Sequence, residues 1–194
     1  MASKVEICNM AFVLIGANVI ESLDDDNDRA VIANRFFDDT RDATLRAHPW
    51  GFAKERATLA AAAGSPEYGS TESGWDYHFT LPTDPFCLRV LEVAEEFPGQ
   101  IPYSIEGRKL LTDESAIKIL YIAQIESTGL FDSLFTDALA ARLAMKFALA
   151  LTKQKKIVEM AANLYKAWID EAQTVDGLES TKKEFYNTTL TGMR

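Results

Sequence analysis

The residues best suited to hold a metal ion are the aspartates of an acidic run at 24–28. They recur at every second position, with the spacing of the first three ligands of an EF-hand calcium loop: Asp24, Asp26 and Asp28. The rest of that loop is missing, because Arg29 stands where the turn needs glycine and Arg35 stands where a bidentate glutamate is needed. The pattern favours a solvated loop in which Asp26 or Asn27 caps the next helix, and it predicts no metal site.

The chain has two histidines, so any mechanism that needs an imidazole base must use His48 or His78. Neither residue lies in a nucleophile motif. His48 comes directly before Pro49, at the predicted end of a helix, where an imidazole readily meets unpaired carbonyls. His78 alternates with Tyr77 and Phe79, which places it on the outer face of a predicted strand. Structural roles are favoured for both histidines.

Scattered acids supply the enzymatic alternative, a hydrolase of a cell envelope or of saccharides. The acids in question are Asp76, Asp84, Glu92, Glu95 and Glu96. A glycoside hydrolase needs two carboxylates that face each other. Neighbouring residues of a strand point to opposite faces, so a solvated sheet edge is the favoured interpretation of Glu95 and Glu96. The sequence also lacks a phosphate-binding glycine loop, a nucleophile elbow and an HExxH motif. We therefore predict no catalytic residues and no cofactor.

Cysteine content and net charge exclude further classes. Cys8 and Cys87 fall in a predicted helix and a predicted strand, without a CxxC motif or clustered histidine, so neither a disulfide framework nor a zinc site is predicted. The formal charge of −9 argues against broad binding of nucleic acid, which needs clustered lysine and arginine. An acidic surface is compatible with DNA that passes without binding.

Neither a signal peptide nor a membrane span is predicted. The first residues lead directly into an amphipathic helical pattern, unlike the basic start and apolar middle of a signal peptide, so we expect a product that is cytosolic when made. The richest apolar segment, Leu134–Leu151, is interrupted by Asp137, Arg142 and Lys146. It therefore falls short of the roughly 20 apolar residues that cross a bilayer and is predicted to be a core helix.

Two segments are candidates for binding a partner. The first is the basic cluster Lys153, Lys155 and Lys156 at the predicted end of the third helix. Its charge can compensate the helix dipole or dock onto an acidic neighbour. The second is the polar C-terminal segment, which carries Phe185 and Tyr186 and ends at Arg194. Polar segments with a few aromatic residues commonly order only on a partner.

Hydrophobic periodicity predicts an α+β protein. The pattern is helical at the two ends of the chain and alternating in the middle. We therefore predict a helical domain from residues 1–49 and 124–176, with two N-terminal and two C-terminal helices. A small antiparallel β region at 50–123 is inserted in it, and a C-terminal arm follows at 177–194.

Local signals refine the two N-terminal helices. Ser3 and Glu6 form a capping-box pattern, and Gly16 is expected to end the first helix. Pro49 must end the second helix, within which Asp42 and Arg46 have the spacing of an ion pair. The buried face of the second helix is predicted to carry Ala33, Phe36, Phe37, Thr40, Thr44 and Ala47.

The rest of the chain also carries local signals for strands, a turn and helix ends. The predicted strands centre on Phe79, Tyr103 and Ile119, with a hairpin turn at 106–109. Asp132 or Ser133 is expected to cap the third helix. The third and fourth helices should form an antiparallel hairpin, in which the fourth buries a stripe of Ile157, Met160, Ala161, Leu164, Trp168 and Val175.

The phrase Leu45-Arg46-Ala47-His48-Pro49-Trp50-Gly51-Phe52-Ala53 resembles the podophage tail tubular protein A, or head-to-tail connector adaptor, family. In that family a helix ends in a similar phrase and is followed by an aromatic strand, a Leu-Pro-x-Asp element and Leu-Arg-Val. The later pieces of the pattern are matched here by Trp75-Asp76-Tyr77, Leu81-Pro82-Thr83-Asp84 and Leu88-Arg89-Val90. Two departures are Gly51, where the family usually has Asn, and the insertion of Pro85-Phe86. The resemblance covers about the first half of the chain closely and the rest by the layout of its elements.

The resemblance implies a structural virion protein of the phage neck and not an enzyme. Its partners would be the portal protein, the next tail component (a nozzle or tail tube protein) and further copies of itself, commonly in a ring of twelve. The β region would face the next tail component and the arm would clasp the portal. DNA would pass through the ring without specific binding, and no membrane is involved. The alternative is a tail-associated envelope or glycan hydrolase.

Overall fold

The computed structural model of the chain describes residues 2–61, 74–94 and 101–179. Within them the helices are α1 (Lys4–Leu14), α2 (Asp28–Ala47), α3 (Ser133–Leu151) and α4 (Lys155–Leu178). The strands are β1 (Lys54–Ala60), β2 (Tyr77–Thr80), β3 (Cys87–Ala94), β4 (Ser104–Glu106), β5 (Lys109–Thr112) and β6 (Ala116–Ala123). The α+β class predicted from the sequence is confirmed.

The first helix begins and ends as predicted. Ser3 Oγ accepts a hydrogen bond from the backbone N–H of Glu6, and the Glu6 carboxylate accepts one from the N–H of Ser3. Hydrogen bonding of the Glu6 carboxylate to the backbone N–H and the side chain of Ser3 lowers the pKa of Glu6. Gly16 follows the helix with a φ of 71°, a left-handed conformation that glycine adopts without strain.

Asn27 is the residue that caps α2, with its side-chain oxygen 3.0 Å from the N–H of Ala30. The predicted face is buried at most of its positions, but Ala47 is exposed. The predicted Asp42–Arg46 ion pair is wrong. Asp42 Oδ1 instead accepts from Arg41 Nε at 2.8 Å, and Arg46 reaches a backbone carbonyl of β3.

The six strands form two antiparallel sheets, in the order β1-β6-β3 and β2-β5-β4. The predicted hairpin turn joins β4 to β5, and Gly107 takes the left-handed φ of 60° in it. The central strand β6 is buried on both faces. Its Ile119 and Tyr121 pack with residues of the second sheet, whereas Ile122 belongs to the hydrophobic cluster of the helices. The first sheet is therefore the middle layer between the helices and the second sheet.

The last two helices pack antiparallel, as predicted. Asp132 caps α3 by accepting from the N–H groups of Leu134 and Phe135. The predicted stripe of α4 is wrong in part, because Met160 and Val175 are exposed. The residues of α4 that are buried are Ala161, Ile169 and Ala172. Alanine at two of these three positions lets the backbone of α4 lie close to its neighbours, a placement that large side chains do not signal.

The predicted boundary of the arm differs from the structure by two residues. The helix α4 continues to Leu178, so Gly177 and Leu178 are helical. The arm candidates Phe185, Tyr186 and Arg194 lie outside the described residues.

Candidate functional site

The phrase at 45–53 forms the joint between the helices and the first sheet. His48 leaves the helical conformation in front of Pro49, and a 3-10 turn at Gly51–Ala53 then leads into β1. Thr44 loses its helical partner where α2 ends, and its carbonyl accepts a hydrogen bond from Trp50 Nε1 at 3.0 Å. Trp50 is 1% exposed. The indole thus packs in the core and also donates the hydrogen bond that the Thr44 carbonyl needs near the end of α2.

Four aromatic rings surround this turn. Phe135 of α3 contacts the rings of Trp50, Phe52 and Phe131 edge to face, with centroid separations of 5.1, 5.1 and 5.0 Å. Edge-to-face contacts of this kind place the positive ring edge against the negative face of a neighbour. The cluster fixes the start of α3 against the end of α2. Trp50 and Phe52 therefore anchor the turn to the helical core.

Asp176, near the end of α4, closes the joint from the opposite side. One carboxylate oxygen accepts a hydrogen bond from the N–H of Gly51 at 2.7 Å, and the other lies 3.0 Å from His48 Nε2. The His48 ring also contacts the Trp50 ring edge to face at 4.7 Å. The sequence predicted carbonyl partners for His48, but α4 brings a carboxylate to it instead. No local signal indicates this contact, since 128 residues separate the two side chains.

Gly51 is one of the two departures from the family phrase, and its surroundings are tight. A Cβ at this position would lie 3.2 Å from Asp176 Oδ1, the oxygen that the Gly51 N–H already holds. The absence of a side chain at Gly51 therefore allows Asp176 to approach the backbone of the turn.

Three arginines attach β3 and the Leu81-Pro82 segment to their neighbours. Arg46 donates to the carbonyl of Leu88, and Arg89 donates to the carbonyl of Arg46 at 3.3 Å, so α2 and β3 are joined in both directions. Arg108 donates to the carbonyls of Cys87 at 2.8 Å, of Leu81 at 3.3 Å and of Pro82. The sequence placed Arg108 only in a hairpin turn and missed this role.

A cavity of about 250 Å³ opens at the joint. Its lining combines aromatic and aliphatic side chains with three acidic ones. The lining residues are Trp50, Phe52, Leu130, Phe131, Asp132, Val175, Asp176 and Glu179. Near the start of α3, burial and the nearby carboxylates of Glu171 and Asp132 raise the pKa of Asp137.

The basic cluster lies in the turn between α3 and α4, at the end of the helical hairpin remote from this cavity. Lys153 follows α3 with a φ of 53°. Lys155 and Lys156 are the first two residues of α4 and are exposed. Positive charge at the N-terminus of α4 is unfavourable for that helix, although the cluster also lies just beyond the C-terminal end of α3. Docking onto an acidic neighbour stays a prediction for this cluster.

The other candidates for chemistry are not brought together. Within residues 2–61, 74–94 and 101–179, no three His, Cys, Asp or Glu side chains are grouped so that they could hold a metal ion. Glu92 is exposed on β3, while Glu95 and Glu96 lie outside those ranges. His78 is half-buried on β2. Both cysteines are buried thiols, and burial raises the pKa of Cys8 to about 12.

The fold defines the chain as an α+β protein with a helical layer and two small antiparallel sheets. No protein-family model matches it, and a comparison with curated proteins finds no match either. Among the described residues, no helix is both long enough and apolar enough to cross a membrane.

Proposed function

We propose that the chain is a structural adaptor of a phage neck, a head-to-tail connector subunit that forms a ring below the portal and joins it to the tail. The observation that carries the proposal is the phrase at 45–53, which resembles the connector family and which builds the joint between helices and sheet. In this role the phrase is a scaffold and has no catalytic task.

The contacts around the joint support this role. Trp50 is held by Thr44, and Asp176 binds both His48 and Gly51, so the turn is fixed from α2 and from α4. A connector must transmit the position of one ring to the next, and a joint whose polar groups are paired with each other is suited to that task. The joint residues that resemble the family are thus the ones that set the angle between helices and sheet.

The proposed partners are the portal protein, the next tail component and further copies of the chain, with twelve copies as the expected ring. The virion neck is the proposed location, after synthesis in the host cytoplasm. The formal charge of −9 supports a channel through which DNA passes without specific binding, since phosphate contacts need basic side chains.

Electron microscopy of the chain mixed with the portal protein of the same phage tests the proposal. We expect ring-shaped particles with an axial hole, built on the portal. A chain that never associates with the portal under any salt condition overturns the proposal. Mass spectrometry of purified virions is the second test, because a connector must be present in stoichiometric amounts with the portal.

A turnover assay separates the connector from the tail-associated hydrolase. Peptidoglycan and glycan substrates should remain uncleaved by the purified chain. Cleavage that is lost when Glu92 is replaced by Gln would favour the hydrolase instead.

A further inference from the structure

We propose that the cavity at the joint binds the arginine side chain of a partner polypeptide. This inference goes beyond the proposed function, because it assigns a binding site and a ligand chemistry whatever assembly the chain joins. It rests on the size of the cavity and on the aromatic and the acidic residues that line it.

The size of the cavity suits one side chain. Pockets that enclose whole small-molecule ligands have volumes of roughly 300–1,000 Å³. The cavity at the joint is smaller, at about 250 Å³, and is partly open to solvent. A side chain that projects from another polypeptide can enter such a site while its backbone stays outside.

The walls suit a flat cation. The half-buried rings of Phe52 and Phe131 line the cavity with a centroid separation of 6.1 Å, and Phe52 is backed by the buried Trp50 ring at 6.2 Å. Guanidinium groups stack on aromatic faces and are more weakly hydrated than ammonium groups. Arginine therefore fits these walls better than lysine does.

Acidic lining residues supply the opposite charge. Asp132, Asp176 and Glu179 line the cavity, and among the residues that the structure describes no basic side chain lines it. Asp176 uses both oxygens within the joint, whereas the capping bonds of Asp132 use Oδ1 alone. Glu179 is exposed where α4 ends, and the C-terminal end of a helix also attracts positive charge. Glu179 and Asp132 are thus the carboxylates that can pair with the guanidinium.

Two exposed apolar residues indicate how the rest of the partner segment is bound. Leu130 is 62% exposed and Val175 is 39% exposed, and both lie at the cavity. A partner residue next to the arginine can cover them if it is apolar. The expected recognition element is therefore an arginine beside an apolar residue such as leucine.

A pair of synthetic peptides tests this assignment on the full chain. Acetyl-Leu-Arg-Gly-amide and its citrulline counterpart have nearly the same shape, but only the first is charged. In ¹H–¹⁵N spectra we expect the arginine peptide to shift the Trp50 indole and Gly51 amide signals to saturation. The citrulline peptide should bind about tenfold more weakly, which corresponds to the loss of one charge-assisted hydrogen bond.

Two variants locate the binding. Glu179→Gln should weaken the arginine peptide by about tenfold through the same loss of charge. Glu106→Gln, an exposed residue of the β4–β5 hairpin, should leave the affinity unchanged. Equal affinity for the two peptides, or no saturable shift, overturns the proposal. Shifts of the same signals with protein concentration alone also overturn it, because they would identify a second copy as the occupant. Formation of rings on the portal is a separate measurement and does not depend on these results.

Discussion

Trp50 makes two contributions to the joint that can be separated by substitution. Its ring packs on Phe135, and its indole N–H binds the carbonyl of Thr44 in the buried end of α2. Trp50→Phe removes the donor and part of the ring, and we expect it to lower the free energy of unfolding by about 2–4 kcal/mol. Urea denaturation measures the change. Trp75→Phe, in a half-buried loop position, is the control and should cost less than half as much.

Asp176 is the residue that joins α4 to the turn after α2. Asp176→Ala leaves the Gly51 N–H and the His48 ring without their partner, which should cost about 1–3 kcal/mol of stability. Asp170→Ala removes an exposed carboxylate from the same helix and should change stability by about 0.5 kcal/mol or less.

A double-mutant cycle measures the His48–Asp176 pair itself. The combined effect of His48→Ala and Asp176→Ala should be smaller than the sum of the single effects, because each variant already breaks the shared contact. Additive effects would show that the pair contributes nothing to the joint.

The two thiols should be unreactive in the folded chain. Burial raises the pKa of Cys8 to about 12 and also raises the pKa of Cys87, so at pH 8 both are protonated and shielded. Ellman's reagent at pH 8 should therefore label neither thiol rapidly, whereas it should label both in urea. Rapid labelling of the native chain would contradict the burial of these residues.

At the scale of the element, two glycines next to Asp176 should respond in opposite ways to substitution by alanine: Gly51 contacts Asp176 in space, and Gly177 follows it in α4. Gly51→Ala places a Cβ 3.2 Å from an Asp176 oxygen that cannot retreat without losing its hydrogen bond, and we expect a loss of about 1–3 kcal/mol. Gly177→Ala has open space and a helical backbone, so it should gain about 0.5–1 kcal/mol. Thermal unfolding of both variants provides the measurement. A stabilised Gly51→Ala would show that Asp176 does not constrain the turn.

The helix ends were predictable because local chemistry determines them. The caps are formed by Ser3 together with Glu6, by Asn27 and by Asp132, through hydrogen bonds that span two or three residues. Pro49 ends α2 because its ring disfavours the helical conformation at His48. The buried stripe of α4 was only partly predictable. Of the predicted residues, Ala161 is buried, whereas Met160 and Val175 are exposed and the buried Ile169 and Ala172 were not predicted.

The site was less predictable than the fold. Pro49 and Trp50 marked the joint in the sequence, but the residues that complete it come from distant elements. Asp176 lies on α4 and Arg108 lies in the β4–β5 hairpin, and neither has a local pattern that would indicate its partner. Contacts of this kind follow from the packing of whole elements, which periodicity alone does not specify.

At the scale of the whole molecule, charge is distributed along α4 against the direction of its dipole. Lys155 and Lys156 begin the helix, whereas Asp176 and Glu179 lie at its end. Of the two lysines, only Lys155 has an ion-pair partner among the described residues, Glu159 at 3.6 Å, and that pair is largely exposed. The arrangement costs stability in the isolated chain, and it presents a basic turn at one end of the helical hairpin and an acidic cavity at the other.

Reversing one of these charges should separate stability from docking. Lys156→Glu places a negative charge in the first turn of α4, where the dipole favours it, and should raise the free energy of unfolding by about 0.3–1 kcal/mol. If the basic turn docks onto an acidic surface of the portal, the same variant should weaken portal binding, and the binding of the wild-type chain should weaken as salt is added. Lys166 is exposed in the middle of α4, so Lys166→Glu is the control and should change both the stability and the portal binding less than Lys156→Glu does.

Sedimentation velocity with the portal measures binding, and urea denaturation measures stability. A stabilised Lys156→Glu chain that binds the portal as well as the wild type would exclude the basic turn from the interface, because its charge would then contribute to neither folding nor assembly.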